Sequence, residues 1–119
     1  MYGKAFFFHH VNDHVQYMKK IQETLDGRGE FLGSHYQECK LGKWLYDEGP
    51  EEASAVSDEV RQLFDTLLEP HQRFHEISRE AVRKHMEGDT TGAKSAVTEM
   101  HKISNVLISI LLQLDKRSL

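Results

Sequence analysis

Apolar residues in this chain recur at helical spacing nearly from end to end, and nowhere do they alternate as a half-buried strand requires. Over roughly 5 to 26, Phe7, Val11, His14, Met18, Ile21 and Leu25 follow one another at steps of four and three, which lines one face of a helix. That phase puts His14 on the buried stripe. Gly27-Arg28-Gly29 and Gly33-Ser34 then end the helix and make a loop, and a short helix over Lys40 to Asp47 follows. Gly49-Pro50 breaks the chain again. Pro50 with Glu51 and Glu52 suits a helix start, where a missing N–H is harmless and carboxylates meet the positive end of the dipole. The helix predicted there carries Val56, Val60, Leu63, Phe64 and Leu67. Pro70 kinks it or opens another, and from about 70 to 87 His71, Phe74, His75 and Val82 stand at helical spacing. Beyond Gly88-Asp89, the stretch from about 90 to 116 has the most regular amphipathic pattern, from Ala93 through Met100 and Leu107 to Leu114.

Amphipathic helices with short connections bury their stripes most simply against one another. The expected fold is therefore all-α: an antiparallel four-helix bundle with an additional short helix carrying the cysteine. The 119 residues, 39% of them hydrophobic, fit one domain spanning 1–119, and no repeat or low-complexity tract suggests a second.

Charge and cysteine usage narrow the setting. With Lys+Arg 15 against Asp+Glu 19 the formal net charge is -4, which offers nucleic acid or an anionic membrane little to hold. Ala5-Phe6-Phe7-Phe8 is too short for a signal-peptide core. Val106 to Leu114, interrupted by Ser109 and Gln113, falls short of the roughly 20 residues that span a bilayer. A lone cysteine, Cys39, makes no intrachain disulfide, so a cytoplasmic location is expected.

Four side chains carry the candidate chemistry. His71 and His75 are four residues apart, one turn along a helix, and can reach one cation. Such a pair also arises by chance in a chain with eight histidines. His14 reads equally as a core histidine with a satisfied hydrogen bond, and Cys39 as a small buried hydrophobe. Taken together, His14, Cys39, His71 and His75 are the residue types that close a tetrahedral zinc site, and Lys40 and Lys43 beside Cys39 favour its thiolate.

The surroundings of these residues add a pattern: His14 with an aromatic, Tyr17, three residues on; Cys39-Lys40-Leu41-Gly42-Lys43-Trp44; and His71 through His75. In order, spacing and the box around the cysteine, the chain resembles the bacterial chemoreceptor zinc-binding domain family. The resemblance implies a helical bundle holding Zn2+ by His14, Cys39, His71 and His75. It implies a homodimeric regulatory module of cytoplasmic chemoreceptors or diguanylate cyclases, with the output domain in cis or in trans. It also implies a stimulus: zinc availability, or an oxidant such as hypochlorous acid that attacks the zinc-bound thiolate. Neither a methyl-accepting nor a cyclase domain is visible, so the expectation is a free-standing module or a fragment. Phe6, Phe7 and Phe8 offer apolar surface on several sides of the first helix, consistent with a dimer through it.

Tyr17 and Trp44 are expected to pack around the site and exclude water, while Asp13, Glu38 and Glu76 could accept an imidazole N–H. His9 and His10, one turn above His14, could join a second metal site. Four protein ligands leave no open position for water, and Gln72, Arg73 and Phe74 between the paired histidines exclude an H-E-x-x-H motif, so no enzyme is expected. Two alternatives stand beside this reading. A histidine phosphotransfer domain would use His101 in Met100-His101-Lys102-Ile103-Ser104, and a diiron or oxygen-binding bundle would need Glu-x-x-His pairs that Glu38 and Glu69 do not supply.

Overall fold

The computed structural model describes residues 4–118 and, within the first helix, leaves the side chains of Lys4, Ala5, Phe6 and Phe8 undescribed. All regular structure among the described residues is helical: α1 (Lys4–Leu25), α2 (Lys40–Leu45), α3 (Gly49–Val56), α4 (Asp58–Asp65), α5 (Leu68–Met86) and α6 (Thr90–Arg117). The all-α expectation holds. None of these helices is long and apolar enough to cross a membrane.

The 28 residues of α6 run most of the 47 Å length of the molecule, as a rise of about 1.5 Å per residue requires. Its start is built from Gly88 at φ 81, a left-handed backbone that favours glycine, and from Asp89, whose carboxylate accepts the Gly92 N–H at 2.9 Å. This turn folds α6 back along α5. Arg73 pairs with Glu99 at 3.7 Å midway, and Arg117 pairs with Glu59 at the far end, so α4 and α5 lie in succession along α6. α1 runs against α6 on another side, with His14 bonded to Ser104 and with Leu25 and Asp26 beside Ala93 and Lys94.

The single helix expected from Pro50 to Leu67 is instead two. Ser57 is extended (φ -174, ψ 165), and its hydroxyl accepts the Val60 N–H at 3.0 Å, capping a new helix with Asp58 and Glu59 in its first turn. α3 therefore doubles back on α4, held where Arg61 donates to the Ser54 hydroxyl at 3.0 Å and where Gly49 lies against the Phe64 ring. Pro70 falls in the first turn of α5, where it breaks no helical hydrogen bond.

Phe7, Ile21, Phe64, Phe74, Met100 and Leu107 are all fully buried in one core. Burying each stabilises by about 1.5–3 kcal/mol relative to exposure. Two polar residues of α5, His71 and Ser78, are as completely enclosed as these.

Candidate metal centre

α5 supplies the two histidines. Its apolar stripe faces α1 and α6, and the four-residue step places His71 and His75 on that buried face, with 0% and 2% of their surfaces exposed and ring centroids 4.8 Å apart. Cys39 comes from the opposite side as the N-cap of α2: its Sγ accepts the Gly42 N–H at 3.1 Å. Gly42 is required by space, because a Cβ there would drive into the Tyr36 carbonyl oxygen and crowd the sulfur at 3.2 Å. The box around the cysteine is thus a device for aiming Sγ. Sγ lies 3.4 Å from His71 Nε2, and one ligand atom each from Cys39, His71 and His75 fall within 4.8 Å of one another. Among the described residues this is the one group of His, Cys or acidic side chains so converged.

A chain of hydrogen bonds orients the second histidine. His75 Nδ1 donates to the Ser34 carbonyl at 2.9 Å, which leaves Nε2 with a free lone pair. Ser34 is held in turn by its N–H, which donates to the Tyr17 hydroxyl at 2.8 Å. Tyr17 therefore does more than exclude water: it fixes the loop carbonyl that fixes His75. Gly33 at φ 96 lets the loop turn here, and a side chain at that position would strike Arg79.

His14 stands apart. It is buried on α1 as its periodicity predicts, with its ring against Phe74, but its Nε2 is bonded to Ser104 Oγ of α6 at 2.8 Å and it is not part of the converged group. Two of the neighbours considered from sequence turn elsewhere. Asp13 approaches His10 at 3.4 Å, and Trp44 donates to Glu52 at 2.6 Å while stacking on His10 with centroids 3.9 Å apart. His9 is exposed, and His10, so stacked, joins no second metal-binding group among the described residues.

Burial keeps all three histidines neutral. It pushes His14 down to about 4, helped by the charge His75 would carry; His71 to about 3, helped by His75 and His14; and His75 to about 4, against the opposing effect of the Ser34 carbonyl. Neutral imidazole is the form that binds a metal. Burial pushes the Cys39 thiol up, against the backbone N–H bonds to its sulfur. A cation at this place would reverse that preference, since a coordinating thiol loses its proton outright.

The donors fit zinc. One sulfur with imidazole nitrogens is a set zinc favours, and the sulfur-to-nitrogen separation is near that of two ligands on one tetrahedral ion. His71 turns its Nε2 toward the Cys39 sulfur, while its Nδ1 is buried with no hydrogen-bond partner among the described residues.

The family model described as the chemoreceptor zinc-binding domain matches residues 14–82, more than half of the chain. The chain belongs to that family. The matched stretch opens at His14 and takes in the box at Cys39 and the pair on α5. This is a zinc-binding signalling family, regulatory in character, and membership displaces the phosphotransfer and diiron alternatives. No curated protein matches the chain, and no solved structure does.

Ser34 and Ser104 are the polar partners that sequence reasoning did not single out. Ser34 acts through its backbone, which leaves no residue-type signal. Ser104 had one: it sits beside Ile103 on an inner stripe of α6 that is otherwise apolar from Ala93 to Leu114.

Proposed function

We propose that this chain is a zinc-binding sensory module of bacterial signal transduction in which His14, Cys39, His71 and His75 hold one Zn2+. The carrying observation is the convergence of Cys39, His71 and His75 from two different parts of the fold on one small volume. Bound zinc supplies a positive charge that keeps the Cys39 sulfur a thiolate. The chain's own part is positional: α5 presents two neutral imidazoles, α2 aims the sulfur, and Tyr17 through Ser34 sets the ring of His75.

Of the two stimuli, an oxidant is supported by a cavity of about 310 Å³ bounded by Asn12, Asp13, Gln16, Tyr17 and Lys20 of α1 and by Phe31, Ser34, Glu38 and Lys40, with Cys39 in its wall. A small oxidant such as hypochlorous acid fits that approach: the thiolate takes up the oxygen as sulfenic acid and chloride leaves. Zinc availability is the other stimulus and acts through occupancy alone. In either case the signal is a shift of the 27 to 47 segment against the helices bearing the histidines; an unmoved segment with and without zinc would remove this.

The reading extends to the whole chain. It is a single domain over 1–119, without enzymatic activity, working in the cytoplasm, built as an antiparallel four-helix bundle with α2 as the additional short helix that carries the cysteine. It acts as a homodimer through α1, coupled to a chemoreceptor or diguanylate cyclase output domain in cis or in trans. Phe7 turns into the chain's own core against Trp44, while Phe6 and Phe8 lie outside the described side chains. Sedimentation as a stable monomer at micromolar concentration would remove the dimer.

Metal analysis tests the core of the reading. The native chain should carry one zinc, and Cys39→Ser should weaken retention by more than about 100-fold, beyond what losing a supporting hydrogen bond does. A folded native chain with no affinity for zinc would sink it.

A further inference from the structure

His14 is the one expected ligand held by a different part of the molecule. Its Nε2 and Ser104 Oγ are 2.8 Å apart, both side chains are buried, and the bond ties α1 to α6. The hydroxyls of Thr98 on α6 and of Ser118 at its C-cap donate to carbonyls one turn back, at 3.1 Å and 2.6 Å. No such bond is found for Ser104 among the described residues, so its proton is available to His14. A hydroxyl donating to Nε2 occupies the same lone pair that a metal would need.

We propose that Ser104 is the competing partner of His14: the histidine has two positions, bonded to Ser104 on α6 or turned toward Cys39, His71 and His75, and the exchange couples the metal centre to α6. This rests on the reading that those three residues bind zinc. Its physical content is a competition. Taking up the fourth ligand breaks a buried α1–α6 hydrogen bond, which lowers zinc affinity and leaves a polar hydroxyl in the interface to be re-satisfied by movement of α6. α6 is the longest helix and lies outside the stretch matched to the family, which makes it a route by which occupancy reaches the remote end of the molecule.

The competition has a sign that ordinary support of a ligand does not. If Ser104 oriented a histidine already poised to ligate, removing its hydroxyl would weaken zinc binding; as a competitor, its removal strengthens it.

The test measures zinc affinity by chelator competition on the native full chain, Ser104→Ala and Ser104→Thr, with histidine nitrogen NMR of the native chain. Ser104→Ala should bind zinc roughly 5-fold tighter, the worth of one hydrogen bond, and Ser104→Thr, which keeps the hydroxyl, should stay near native. The NMR signal of His14 Nε2 should change from a hydrogen-bonded acceptor to a metal ligand as zinc is added. Unchanged or weaker affinity in Ser104→Ala, or a His14 signal indifferent to zinc, overturns the competition while zinc uptake by the native chain leaves the parent reading intact. A native chain that takes up no zinc overturns both.

Discussion

α5 and the 26–39 segment meet at the group of Cys39, His71 and His75, yet they are held in opposite ways. α5 is a 19-residue helix packed along α6, and its His71 and His75 sit in the core. The 26–39 segment has no regular structure; its residues are exposed or half-buried, and it is tied down mainly by polar bonds, from Tyr17 and His75 to Ser34 and from Thr24 to the Phe31 carbonyl at 2.6 Å. A site bridging the two has one face that cannot move without unfolding and one that can. That is a suitable construction for a sensor, because metal gained or lost at the joint changes how the weaker partner is held.

The comparison breaks first if the rigid half proves soft. Phe74→Ala, removing a ring that packs on His14 and Tyr17 with no exposed surface, should destabilise the chain by about 3–5 kcal/mol in denaturant titration. A loss under about 1 kcal/mol would mean that α5 is not the fixed frame.

Acid should act next, and on the same half. In the metal-free chain His14, His71 and His75 have folded-state values near 4, 3 and 4, below the ordinary 6.5, so the unfolded chain binds more protons. Stability is complete above 6.5 and falls as pH drops from there toward 4. Unfolding midpoints flat across that window would contradict the burial of these rings. Zinc should leave over the same range, as protons compete for the nitrogens.

The loop side is sharpened by Tyr17→Phe. Losing the hydroxyl that holds Ser34 should weaken zinc binding by about 10-fold, while the unfolding free energy of the metal-free chain falls by only about 1 kcal/mol. Equal loss in both measurements would make Tyr17 a packing residue alone. The smallest effect is expected from Leu32→Ala: Leu32 is 54% exposed in the segment, and its truncation should change stability by less than about 0.5 kcal/mol. A larger loss in thermal unfolding would show the segment to be packed more firmly than its exposure indicates.

Much of this was open to sequence because it depends on local rules. Helical phase alone put His14 on the buried stripe and His71 beside His75 on one face, and glycines marked the ends of α1 and α5. The break at Ser57 was also written locally, as a serine followed by Asp58 and Glu59, but the apolar spacing from Val56 to Leu67 runs through it without a gap and masks it. Gly42 shows the opposite limit. As a residue type it suggests freedom, whereas in place it is confined by Tyr36 and the Cys39 sulfur, a closeness no one-dimensional pattern contains.

The sequence by itself determined that the protein is helical, which faces of its helices turn inward, and which four side chains have the chemistry for zinc, since propensity, periodicity and donor type belong to residues and their near neighbours. Only the tertiary structure decided that α3 folds back on α4, that Tyr17 reaches His75 through the backbone of Ser34, and that His14 is held by Ser104 across 90 positions of chain. Those are contacts between segments, and their geometry follows from how whole helices pack.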